Sequence, residues 1–115
     1  MKDLEEIRQH VVKFASERDW DQFHSPKNLT MALSVEVAEL MEHFQWLSEE
    51  QSRNLDPDTL IKVAKEIADV QVYLVRLADV LKVDILQSVA IKMQENAEKY
   101  PADKVRGSAK KYNQY

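Results

Sequence analysis

Apolar positions recur at helical spacing along almost the entire chain. Leu4, Ile7, Val11 and Phe14 begin the rhythm, Asp3 with Glu6 three residues on has the capping-box pattern, and a first helix is expected to run to about Trp20. From Trp20 to Asn28 the rhythm is lost. Ser25-Pro26 then reads as an N-cap followed by proline at the first helical position, which starts a second helix expected to reach about Leu47. Ser48 to Leu55 is polar and reads as a connector. Asp56-Pro57 repeats the cap-then-proline start for a long third helix ending near Lys82. Asp84, with Gln87 three residues later, opens a fourth helix that Pro101 closes, and the last fifteen residues are expected to be irregular.

This pattern predicts an all-α fold, a four-helix-bundle-like subunit. A single glycine, Gly107, and three prolines, Pro26, Pro57 and Pro101, are too few for the tight hairpins of an all-β chain. A glycine-rich phosphate loop is excluded as well. At 115 residues the chain is one domain of ordinary size, and so short a bundle needs a simple core or one shared with another copy. Helices two and three carry more apolar surface than one small copy easily covers, so assembly with a second copy, a homodimer, is expected.

Composition removes several kinds of chemistry. With no cysteine there is no disulfide framework, thiolate zinc site or cysteine nucleophile, and a reducing, cytoplasmic setting is the default expectation. The first residues lack a hydrophobic signal core, and no apolar run approaches the ~20 residues that span a bilayer. Sixteen basic against twenty acidic residues give a net charge of −4, which disfavours stable nucleic-acid binding. Charge is uneven, however. Between Pro101 and Tyr115 four basic residues (Lys104, Arg106, Lys110, Lys111) face one acid (Asp103), so this tail carries +3 and the remainder −7. An acidic body with a basic tail suits a small anion held by metal and a few cations.

Candidate chemistry lies on helices two and three. With Glu36 at zero on a helical wheel, Leu29 and Leu47 fall at ~20°, Leu40 at ~40° and Leu33 at ~60°, so Glu36 lies inside the apolar stripe and Glu39 at its edge. With Glu66 at zero, Leu77 falls at ~20°, Val70 at ~40°, Val63 at ~60° and Tyr73 at ~−20°, so Glu66 and Asp69 repeat the arrangement. Two carboxylates ~5 Å apart repel by ~3 kcal/mol at an effective dielectric of ~20, and desolvation adds to that cost. Protonation is one remedy and a divalent cation the other. All-oxygen donors without a Glu-x-x-His pair point to a hard ion, Mg²⁺ before Mn²⁺. Glu42, Glu49, Glu50 and Glu95 read as surface charge, His10 as surface, and His43 as a core or interface residue outside the site.

The segment Glu36-Val37-Ala38-Glu39, twenty-six intervening residues, then Glu66-Ile67-Ala68-Asp69 resembles the acidic signature of the MazG-like, all-α nucleoside triphosphate pyrophosphohydrolases. The likeness covers nearly the whole chain. Arg18 through Leu29, Phe44-Gln45-Trp46, Asp69 through Leu74, Lys92 through Asn96 and Arg106 through Tyr112 resemble the dCTP pyrophosphatase subgroup in particular.

The resemblance implies Mg²⁺-dependent hydrolysis of a (deoxy)nucleoside triphosphate, dCTP or a modified dCTP first, to the monophosphate and pyrophosphate, in the service of nucleotide-pool sanitation, and a homotetramer as the alternative to the homodimer. It assigns Glu36, Glu39, Glu66 and Asp69 to the metal, and Glu39 is favoured to orient or deprotonate the attacking water. Trp20 and Trp46 offer flat faces to a base, or serve as core or interface aromatics. His24 stands at a family position near the nucleotide or stabilises its loop, and Tyr73 reaches the phosphate or sugar or fills the core. Lys92 and Asn96, four residues apart, match a Lys-x-x-x-Asn pair that the family uses on the nucleotide. The domain is then residues 1–100, with Lys110 and Tyr112 in a 101–115 tail that closes over the ligand, or a tail that stays free. The other readings are a dUTP- or phosphoribosyl-ATP-directed pyrophosphohydrolase, and a non-catalytic helical interaction or metal-binding module.

Overall fold

The computed structural model describes residues 1–109. Helix α1 spans Leu4–Glu17, α2 Pro26–Glu42, α3 Glu49–Ser52, α4 Pro57–Leu81, α5 Ile85–Lys99 and α6 Ala102–Val105, with a 3₁₀ turn at Asp21–Phe23. The described residues are thus all-α, as the periodicity predicts. Lys110 and Tyr112 lie outside them.

The starts of the four long helices follow their capping residues. Asp3, Ser25, Asp56 and Asp84 each accept a hydrogen bond from the backbone N–H three residues on, that of Glu6 (2.9 Å), Asn28 (3.1 Å), Thr59 (2.8 Å) and Gln87 (3.0 Å). Pro26 and Pro57 occupy first helical positions where no N–H is needed. At Asp3 the capping box is only half formed, because Glu6 Oε2 turns to the Lys2 N–H at 2.6 Å.

Helix ends depart further from expectation. Helix α1 stops at Glu17, three residues before Trp20, because Asp19 adopts a left-handed φ of 55° and the Trp20 N–H closes back on the Ala15 carbonyl at 2.9 Å. Helix α2 stops at Glu42, not near Leu47. His43 caps it, a series of turns carries the chain through Trp46, and Leu47 therefore has no place on the α2 wheel. The polar connector contains a short helix, α3, with a complete capping box between Ser48 and Gln51. Lys82 ends α4 in the left-handed region at φ 57°, a position more often taken by glycine. The segment after Pro101, expected to be irregular, forms one helical turn, α6, before Gly107 at φ 76°.

Chain contacts divide the structure into a first compact unit, Met1–Lys82, and a second that begins at Val83. Within the first, α4 packs against α2 and α1. Its buried apolar side chains are few: Ala15 on α1, Leu29 on α2, Val63 and Val75 on α4. In the second unit α5 leaves Leu86, Val89, Ile91 and Met93 exposed. No helix among the described residues is long and apolar enough to cross a membrane.

Candidate active site

Helix periodicity sets the acidic pairs. Glu36 and Glu39 lie one turn apart on α2, Glu66 and Asp69 one turn apart on α4, and the packing of these helices brings the pairs face to face. Carboxylate oxygens of Glu36, Glu39 and Glu66 come within 4.8 Å of one another. All three residues are half-buried, whereas Asp69 is exposed. Glu36 Oε2 and Glu66 Oε2 are out of water and have no hydrogen-bond partner.

The electrostatics follow from this crowding. Burial first, then the charges of Glu39 and Asp69, a hydrogen bond with Glu39 and the charge of Glu66 push the Glu36 carboxyl up to about 7. Glu36, Glu39 and Glu66, two of them with an orphaned oxygen, form a donor set that fits a hard divalent cation, which satisfies both oxygens and cancels the repulsion together. His43, which the sequence reading leaves out of the site, places Nε2 3.8 Å from Glu66 Oε1.

Beside the acids runs a cleft of about 490 Å³ whose walls come from α1, the residues on either side of the 3₁₀ turn, α2 and α4. Glu36 and Asp69 line it together with Trp20, His24 and Tyr73, so five of the sequence-predicted residues share one cavity. Val11, Phe14 and Val72 give it an apolar side. Trp20 stands edge-on to Phe14, ring centroids 5.6 Å apart, and to His24 at 6.3 Å. His10, expected on the surface, is exposed but also lines the cleft.

Other expected residues lie elsewhere. Trp46 is 86% exposed in the turns after α2 and is not part of the cleft wall. Lys92 and Asn96 sit on α5 in the second unit, where Lys92 Nζ approaches Glu95 Oε2 at 3.6 Å and the Asn96 carbonyl accepts the Tyr100 N–H.

Arg76 is the cleft residue that sequence reasoning misses. It is 7% exposed, and its guanidinium contacts His24, Asp79 and Asp21. The available signal was a lone arginine within the apolar run from Val72 to Leu77. Burial, then the Arg76 charge, hold His24 below its ordinary 6.5, with Asp21 opposing.

The MazG-like family model matches residues 31–114, which include both acidic pairs. The chain belongs to the MazG-like family. It is similar to dCTP pyrophosphatase 1 of Bos taurus, 45% identical over 111 residues that cover 95% of this chain and 66% of that one. The Mus musculus protein of the same name is 46% identical over 95% of this chain and 65% of its own length. The chain thus spans just under two thirds of these curated relatives. Among solved structures, a pyrophosphatase from Archaeoglobus fulgidus superposes with a TM-score of 0.75 at 39% identity, covering 84% of this chain and 91% of that one.

Proposed function

We propose that this MazG-like chain is a magnesium-dependent nucleoside triphosphate pyrophosphohydrolase, with dCTP or a modified dCTP as its first substrate. The observation that carries the reading is the juxtaposition of two acidic pairs, with buried orphan oxygens on Glu36 and Glu66, beside a cleft walled by Trp20, His24 and Tyr73. The names of the dCTP pyrophosphatases it resembles support the choice of base. Products are the monophosphate and pyrophosphate.

Glu36, Glu39, Glu66 and Asp69 would hold the cation, Mg²⁺ first with Mn²⁺ as substitute. What such a cation supplies when bound is polarisation of the phosphoryl oxygens and screening of the charge on the pyrophosphate leaving group. The chain's own groups do the rest. Glu39, at the edge of the apolar stripe of α2, orients the attacking water and accepts its proton. Trp20 gives the base a stacking face, and Tyr73, one turn beyond Asp69, offers its hydroxyl to the phosphate or sugar. The nucleotide contacts expected of Trp46, Lys92, Asn96, Lys110 and Tyr112 belong to the same proposal, as does closure by the basic tail.

Self-association is part of the reading. A core of four buried apolar side chains among the described residues is slight beside exposed Leu60, Ile61, Leu86 and Met93, and a homodimer or homotetramer would cover such surface. A panel of common and 5-modified deoxynucleoside triphosphates with Mg²⁺, scored for monophosphate plus pyrophosphate, tests the activity. Diphosphate plus phosphate overturns the bond assignment, and no product from any triphosphate leaves a non-catalytic metal-binding module.

A further inference from the structure

Arg76 lies inside the first unit with all three faces of its guanidinium engaged. Its Nε donates to His24 Nδ1 at 3.0 Å, Nη1 to Asp79 Oδ2 at 3.1 Å and Nη2 to Asp21 Oδ1 at 2.6 Å. Asp79 Oδ1 accepts in turn from Arg8 Nη1 at 3.1 Å, so helix α1 braces the pair from behind. The guanidinium is thereby fixed in position and direction.

Arginine carries five donors, no acceptor, and does not lose its proton in a protein. The ring nitrogen that faces it must therefore present a lone pair. A neutral imidazole with Nδ1 as acceptor bears its single proton on Nε2. Because the His24 ring also lines the cleft beside Trp20, the choice of tautomer decides what the ligand meets. The Nε2–H form offers a donor, and the opposite tautomer would offer a lone pair.

We propose that Arg76 is a positioning residue that holds His24 as its neutral Nε2–H tautomer, a fixed hydrogen-bond donor for an acceptor atom on the nucleotide's base. The ligand half of this inference rests on the pyrophosphohydrolase reading above. Its chemistry is a pyrimidine ring with a carbonyl oxygen or unprotonated ring nitrogen on the recognised edge, lying against the aromatic side that Phe14 and Trp20 form. Charged groups around His24 are Asp21 from the 3₁₀ segment and Arg76 from α4, with Asp79 and Arg8 behind them; Glu36, Asp69 and His10 share the same cleft. The net effect of burial and Arg76 is to oppose ring protonation, which keeps the neutral form in place near neutral pH.

Long-range ¹H–¹⁵N spectra of the full chain labelled in histidine test the tautomer without any variant. At about pH 7.5 His24 is expected to show a pyridine-like Nδ1 and a pyrrole-like Nε2. A proton on Nδ1 overturns the proposal. In Arg76→Gln the two tautomers are expected to mix and the His24 midpoint to rise towards its ordinary value, with Arg76→Lys between it and wild type. With dCTP, loss of one oriented hydrogen bond should raise KM about 3- to 10-fold and leave kcat within about 2-fold. An unchanged tautomer in Arg76→Gln, or a fall in kcat at constant KM, counts against the assignment. If the spectra show the pinned tautomer but no triphosphate is hydrolysed, the nucleotide reading alone fails, so the two failures are separable.

Discussion

Glu36 and Glu66, on facing helices, each keep an oxygen out of water with no hydrogen-bond partner. An unsatisfied buried acceptor is costly, and a cation that satisfies both oxygens must stabilise the fold that brings them together. Magnesium at about 100 times its Kd should therefore add about 2.7 kcal/mol to the unfolding free energy, measured by denaturant titration with and without EDTA. Glu66→Gln should abolish that increment and lower pyrophosphate release by about 100-fold or more. Equal magnesium stabilisation in the variant would remove Glu66 from the metal set.

The pH dependence without metal has a definite sign. Glu36 is raised to about 7 from an ordinary 4.5 by burial and the surrounding acids, so the folded chain holds a proton that the unfolded chain has released between those values. Its stability contribution is full below 4.5 and disappears as pH rises through 7. In EDTA, wild type should lose stability relative to Glu36→Gln between pH 5 and pH 8, about one proton's linkage. Magnesium should flatten the difference, because the cation binds the deprotonated form.

The acidic pairs were legible because a helix has a period that locates each residue on a face. Glu36 and Glu66 fall inside apolar stripes on their wheels, and Leu29 and Val63 of those stripes are buried, on helices that pack against each other. Arg76 was not legible, since its partners His24 and Asp21 are distant in sequence and converge only when the 3₁₀ segment folds over α4. The end of α2 was missed for a different reason. No glycine or proline lies between Glu42 and Leu47, so the apolar rhythm extends to Leu47 while the chain itself turns at His43 to Trp46. The Ser48–Gln51 capping box is visible in the sequence, but four residues without apolar periodicity carry too little signal to set a helix apart from a polar connector.

Asp79 accepts from Arg8 on one oxygen and Arg76 on the other, both at 3.1 Å. Asp79→Asn removes the charge and turns one acceptor into a donor that faces a guanidinium. The expected loss is about 1–3 kcal/mol of unfolding free energy. Thermal and denaturant unfolding of the variant measure it, and a neutral result would reduce the network to surface decoration.

The two tryptophans should respond differently to truncation. Trp20 is 44% exposed, braced edge-on by Phe14 and part of the cleft, so it can present a face to a base without rearrangement. Base stacking on an aromatic is worth about 1–3 kcal/mol, and Trp20→Ala should raise the KM for dCTP by about 5- to 150-fold. Trp46, 86% exposed in the turns after α2, has little to lose within its own chain. Any energetic role it has must come from something that covers it, the nucleotide or a second copy of the chain, and assembly tests the second. A buried interface tryptophan costs about 2 kcal/mol or more on truncation, so Trp46→Ala should weaken self-association at least about 30-fold in sedimentation velocity. Unchanged assembly in Trp46→Ala would place this side chain outside any interface between copies.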